Sequence, residues 1–153
     1  MATNFLWGSE GSVINLLTTE LNSLTNGYST AFGPEVDNTT NRYQEGRLAF
    51  KLASSSSALT SASFVAVYFV TSNDGTNYPK LTSGSSFKFS EINYLAATIQ
   101  LYPGTLSSEV LYENVRGVLI PSGKFKTVLV NQSGVTLPSS GNTLDLYPTP
   151  SQY

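Results

Sequence analysis

The sequence contains no cysteine and no histidine, and each absence removes a class of chemistry. Without thiols there can be no disulfide framework, no thiolate nucleophile and no zinc–thiolate site. Without imidazole the chain lacks the commonest general base near neutral pH and the commonest transition-metal ligand. Charge is scarce too, at 12% of 153 residues, against roughly a quarter in ordinary soluble domains. A net charge of −2 and a pI near 5.0 leave no broad basic footprint for phosphate, so nucleic acid is not an expected partner. No apolar run approaches the roughly 18 residues of a membrane span, and the opening residues show neither a basic leader nor an apolar signal core. The expectation is a soluble chain made without secretion and without a membrane partner.

What replaces the missing charge is hydroxyl: 22 Ser and 17 Thr. Polarity without charge suits sheets, turns and assembly surfaces, and the length suits one compact domain over 1–153. Val13, Leu16, Leu17, Leu21 and Leu24 follow one another at three- and four-residue intervals after Ser12, a good N-cap, which predicts a short N-terminal helix over 12–25 ending at Asn26-Gly27. From about Tyr43 the period becomes two: Leu48, Phe50 and Leu52 alternate with Arg47, Ala49 and Lys51, a half-buried strand. In the run from Phe64 to Val70 both faces are apolar, as in a central covered strand, and Asn73-Asp74-Gly75 follows as a hairpin signal. Further strands are expected at Phe87 to Phe89, Ala97 to Leu101, Glu109 to Glu113, Val115 to Ile120, Phe125 to Asn131 and Thr143 to Tyr147. The pattern predicts an all-β, jelly-roll-like β-sandwich over 43–147, preceded by an arm (1–8) and the helix, and followed by an extended tail (148–153).

Catalysis would have to rest on carboxylates, Tyr, Lys or Ser. Glu109 and Glu113, four residues apart on a strand, lie roughly 13 Å from one another, beyond the roughly 5 to 9.5 Å of glycosidase acid pairs. Glu35 and Asp37 follow Gly33-Pro34 in a polar loop with nothing apolar to raise one pKa. The stretch from Asn73 to Asn77 starts like a calcium loop but lacks alternating acids and a closing Glu, so it reads as a turn. Asn38-Thr39-Thr40 and Asn131-Gln132-Ser133 are glycosylation sequons that matter only in a secreted eukaryotic chain. The sequence therefore predicts no enzyme, no cofactor and no metal.

Nine Tyr, eight Phe and one Trp are many amphipathic contact groups for so few charges. Phe5, Leu6 and Trp7 stand in the arm, whose aromatic side chains are costly to leave wet and dock either into the protein's own core or onto a partner; Pro148, Pro150 and Tyr153 stand in the tail, which two prolines keep extended so that it either frays or lies along something, and these six are the candidate capsid or subunit contacts. Trp7-Gly8, the stretch from Val13 to Leu24, Val36-Asp37-Asn38-Thr39-Thr40-Asn41, Phe64 to Tyr68 leading into Ser72 to Tyr78, and Val128 to Leu137 occur in an order that resembles small virion proteins of tailed bacteriophages, including capsid decoration, or cement, proteins. The resemblance covers most of the chain. It implies a homotrimer on the outer surface of the capsid whose partner is the major capsid protein and whose role is to stabilise the head by bridging capsid subunits. Another virion location (tail, collar or fibre) and a carbohydrate-binding β-sandwich are the alternatives.

Overall fold

The computed structural model describes residues 10–54, 58–72, 74–80, 95–102, 104–105 and 110–150. The strand expected at Phe87 to Phe89 lies outside them, as do Phe5, Leu6, Trp7 and Tyr153.

Among the described residues there are ten strands: β1 (Ile14–Leu17), β2 (Val36–Asp37), β3 (Glu45–Leu52), β4 (Ala58–Leu59), β5 (Phe64–Thr71), β6 (Leu95–Gln100), β7 (Gly104–Thr105), β8 (Leu111–Leu119), β9 (Lys124–Gln132) and β10 (Thr143–Thr149). They form an antiparallel sheet in the order β1-β10-β3-β8, a second in the order β2-β9-β5-β6, and a small β4-β7 ribbon. The pairing is nested: β1 with β10, β2 with β9, β3 with β8, β4 with β7 and β5 with β6. The two large sheets pack face to face as an all-β sandwich.

Strand alternation explains the core. Leu48, Phe50 and Leu52 of β3 point inward with Leu144 and Leu146 of β10, and they meet Val65, Val67 and Phe69 of β5 with Phe125 and Leu129 of β9. Phe69 and Phe125 stack at 4.9 Å between ring centroids. β5 is central, between β9 and β6, as its doubly apolar sequence requires. Its outward residues Ala66, Tyr68 and Val70 are buried too, with Phe32 and Tyr78 packed on them.

The predicted helix over 12–25 is not formed. Its first half is β1 and its second a single 3-10 turn over Thr19–Leu21. The leucines keep their burial but by another route: a register shift between Asn15 and Leu17 against β10 lets the consecutive Leu16 and Leu17 both face the core. Asn15, Thr18, Thr19, Asn22, Ser23 and Thr25 are poor helix formers. Ser23, at a φ of 57°, interrupts any continuation, and pairing with β10 satisfies the β1 backbone instead.

Two further boundaries differ. The runs read as separate strands around Glu113 and Val118 are one strand, β8. Pro148 lies not in a tail but inside β10, opposite Gly46. Its carbonyl accepts from the Gly11 amide at 2.7 Å. Its ring nitrogen therefore faces the same side, beyond the end of β1, where no ladder needs the missing N–H.

Candidate interaction surface

The two ends of the described chain are tied together at one corner of the β1-β10-β3-β8 sheet. Arg47 donates from Nε to Glu10 Oε1 and from Nη2 to Glu10 Oε2, both at 2.7 Å, and from Nη1 to Asn114 Oδ1 at 2.6 Å. Its guanidinium also lies 4.1 Å from the centre of the Tyr147 ring. A planar five-donor fork serves all these partners at once, which a lysine ammonium could not. The Arg47 hydrogen bonds hold the Glu10 carboxyl below its ordinary range, and Glu10 raises Arg47 in return. With Gly11 bonded to Pro148, the chain enters this corner at residue 10 and leaves it at Pro150. Of the six residues singled out in the sequence, Pro148 and Pro150 are placed here, and the other four lie outside the described residues.

The same end of the sheet carries, on the opposite edge strand β8, a hydrophobic ridge. Gly46 pairs with Val118 but Leu48 pairs with Val115, so Arg116 and Gly117 together oppose Arg47 as a bulge, with Gly117 at a φ of 69°. Before the bulge, Leu111, Glu113 and Val115 share the inward face of β8; after it, Val118 is buried and Leu119 is turned outward, 75% exposed. Without the extra residue, period-two alternation would place Leu119 inside. Leu119 separates two clefts. One, of about 770 Å³, lies at the mouth between β6 and β8, lined by Phe69, Leu95, Ala96, Ile120 and Pro121. The other, of about 610 Å³, is lined by Arg42, Tyr43, Gln44 and Ser122. Leu95 on the far lip is 57% exposed. Leu119 pairs with Glu45, and Glu45 with Thr149, so the ridge stands two strand spacings, roughly 10 Å, from the end of β10.

The titratable groups are dispersed. Glu35 is held low by Lys124, at 3.0 Å, and by the Tyr78 hydroxyl that donates to it. Asp37 is held low by the hydroxyl and amide of Thr39. Asp74 is lowered strongly because it accepts from the Asn77 and Thr76 amides, the Asn77 side chain and the Ser72 hydroxyl, a closed turn rather than an open ligand set. Burial raises Glu113, on the inner face opposite Phe50. Among the described residues no three acidic side chains gather in one place.

Both sequon asparagines are buried structural staples. Asn38 donates to the carbonyls of Tyr43 and Pro121 and accepts from the Tyr43 amide. Asn131 donates to the carbonyls of Leu24 and Val135 and accepts from the Ser133 amide. The clamp at Arg47 and the ridge at Leu119 were missed in the sequence. The Arg116-Gly117 pair inside an apolar strand is the signal for the second, since an isolated glycine there marks a bulge. No family model, no curated protein and no solved structure matches this chain significantly.

Proposed function

We propose that this protein decorates the head of a tailed bacteriophage as a trimer on the outer surface of the capsid, where it stabilises the shell by bridging neighbouring major capsid subunits. The observation that carries the reading is the common corner at which residue 10 and Pro150 emerge under the Arg47 clamp, two strands from the Leu119 ridge. Apolar side chains on adjoining segments, Phe5, Leu6 and Trp7 on one side and Pro150 and Tyr153 on the other, can then act with the ridge as one contact patch. Several copies in one oligomer add avidity, so each patch needs only modest affinity.

The body that presents the patch is, in this reading, a jelly roll. Nested pairing of first strand with last, second with second-last and so inward, distributed over two four-stranded sheets, supports that assignment. The role is structural rather than enzymatic: Glu35, Asp37 and Asp74 are held ionised by local partners, and Glu113 faces no second carboxylate among the described residues. It calls on no cofactor, nucleic acid or membrane.

The test is to remove residues 1–7 and, separately, 150–153, and to measure oligomeric state by native mass spectrometry and occupancy on purified heads. Each truncated protein should fold and bind heads more weakly, and heads carrying it should rupture at a lower temperature. Wild-type occupancy in both truncations removes the ends as anchors, and finding the full chain only in tails or fibres removes the head assignment.

A further inference from the structure

Independently of the capsid reading, we propose that the outer face of the β1-β10-β3-β8 sheet binds a neutral saccharide in a shallow depression over Ala49, with Tyr112 stacking on a sugar ring. Register places two rows of outward side chains there: Tyr112, Lys51 and Thr143 in one, and Asn114, Ala49, Asp145 and Asn15 in the next. Ala49 alone carries no atoms beyond Cβ, so longer neighbours on every side leave a hollow of about 150 Å³ above it. Tyr147 forms one wall with a ring face taken by Arg47, while Tyr112, 65% exposed, is the ring left open.

The polar groups around the hollow are held in place before any ligand arrives. Arg47 can only donate, so Asn114 must present Oδ1 to it, which leaves the Asn114 amide hydrogens for another partner. Asn15 Nδ2 donates to Asp145 Oδ1 at 2.7 Å and the Thr143 hydroxyl to Asp145 Oδ2 at 3.3 Å, which fixes the carboxylate while each of its oxygens keeps acceptor capacity. Fixing these groups in advance lowers the entropy cost of binding.

The lining also selects the ligand class. Among the described residues around the hollow, Lys51 faces Asp145, Glu113 turns to the inner face, and the nearby Arg47 is engaged by Glu10, so there is no pair of free cations for a phosphate. At about 150 Å³ and with polar side chains around it, the hollow is too small for a drug-sized apolar ligand. Alternating donors (Lys51, Asn114) and an acceptor (Asp145) match hydroxyl groups, each of which both donates and accepts, and the exposed ring of Tyr112 matches the C–H face of a pyranose.

Saturation-transfer NMR with glucose, galactose, N-acetylglucosamine, maltose and cellobiose, each at about 10 mM to reach millimolar affinities, tests this on the full chain. The expected result is transfer to ring protons of at least one sugar, with shifts at the Asn114 and Asn15 side-chain amides. Tyr112→Ala and Ala49→Leu should each weaken binding roughly fivefold or more, while Tyr102→Ala, at an exposed ring elsewhere, should not. The proposal is overturned if no sugar receives saturation from a protein with a folded spectrum, or if both hollow variants bind as wild type. Loss of head occupancy in Tyr112→Ala without any sugar binding would make the face a protein contact and overturn it equally.

Discussion

Arg47 and Glu10 are joined by two hydrogen bonds of 2.7 Å, which hold residue 10 against β3 beside the Gly11–Pro148 bond that ties the chain to β10. The Glu10 side chain is half exposed, and its pKa is lowered mainly by the Arg47 hydrogen bonds. A lowered carboxyl pKa means that the clamp is present above the ordinary glutamate range, near 4.3, and is lost as pH falls through the lowered value. The Gly11 amide signal should therefore move toward a random-coil shift on acidification while the sandwich signals hold. Arg47→Lys should loosen Gly11 already at pH 7, because it gives up the paired geometry. Protection of Gly11 that is unchanged in the variant would show that the Pro148 contact suffices alone.

How far this architecture is legible in the sequence depends on how far each strand obeys a single period. β3, β5, β9 and β10 alternate cleanly or are apolar throughout, and they stand where the pattern places them. β1 and β8 contain bulges, and a bulge changes the phase midway. In β1 it makes strand leucines recur at helical intervals; in β8 it makes one edge strand read as two. β2 has two residues, too few to carry a period, and is recognisable only from the bonds that Tyr28, Thr30 and Gly33 make to β9 ahead of it. The corner clamp is illegible for a different reason: residues 10, 47, 114 and 147 meet only once register is known.

Asn131→Ala should be among the most destabilising polar substitutions. It leaves the buried Ser133 amide without its acceptor, while the Leu24 and Val135 carbonyls each lose one donor and keep another, the Leu137 amide and the Ser133 hydroxyl. At roughly 1 to 3 kcal/mol for the stranded amide and roughly 0.5 to 1.5 kcal/mol for each of the two other bonds lost, a loss of about 3 kcal/mol is expected. Urea unfolding with an unchanged m-value should show it. A loss under about 0.5 kcal/mol, the scale of an ordinary surface change, would mean that the loop re-pairs by itself.

Two glycines should separate by mechanism. A Cβ at Gly33 would run into the Leu16 carbonyl and the Leu17 side chain, whereas one at Gly117 meets nothing within 4 Å. Gly33→Ala must move β1 and should cost about 3 kcal/mol or abolish folding. Gly117→Ala faces only the left-handed φ of 69° and should cost about 1 kcal/mol. Thermal unfolding of the two variants side by side decides the order, and a more severe Gly117→Ala would contradict the space around it.

Glu113 faces inward on an edge strand, opposite Phe50, and burial raises its pKa. The folded state then holds the proton more tightly than the unfolded chain does, so its stability falls as pH rises from the ordinary glutamate range through the raised value. Glu113→Gln should be more stable than wild type at pH 7 and should lose that advantage near pH 4. The acid also has a use, since an inward charge discourages other strands from adding to the edge. Glu113→Leu should accordingly be stable yet prone to aggregate, which light scattering on heating would reveal.

Leu119 and Val118 are adjacent and so face opposite sides of the sheet, and the bulge decides which is inside: Val118 is buried and Leu119 is 75% exposed. An exposed leucine contributes little to folding, so Leu119→Asp should leave unfolding within about 0.5 kcal/mol of wild type. Val118→Asp puts a charge into the core and should unfold the chain. In the capsid reading the ridge is covered in the assembly. Fully covering a leucine gains roughly 1.5 to 3 kcal/mol, so losing the ridge should weaken trimer formation or head occupancy about tenfold or more. The aspartate sits beside Glu45 on the neighbouring strand, which adds like-charge repulsion that salt should partly relieve. Native mass spectrometry and occupancy on heads at two salt concentrations read both effects. If Leu119→Asp assembles and binds heads like wild type, the ridge is no part of the contact, and the common corner of the chain ends must hold the shell without it.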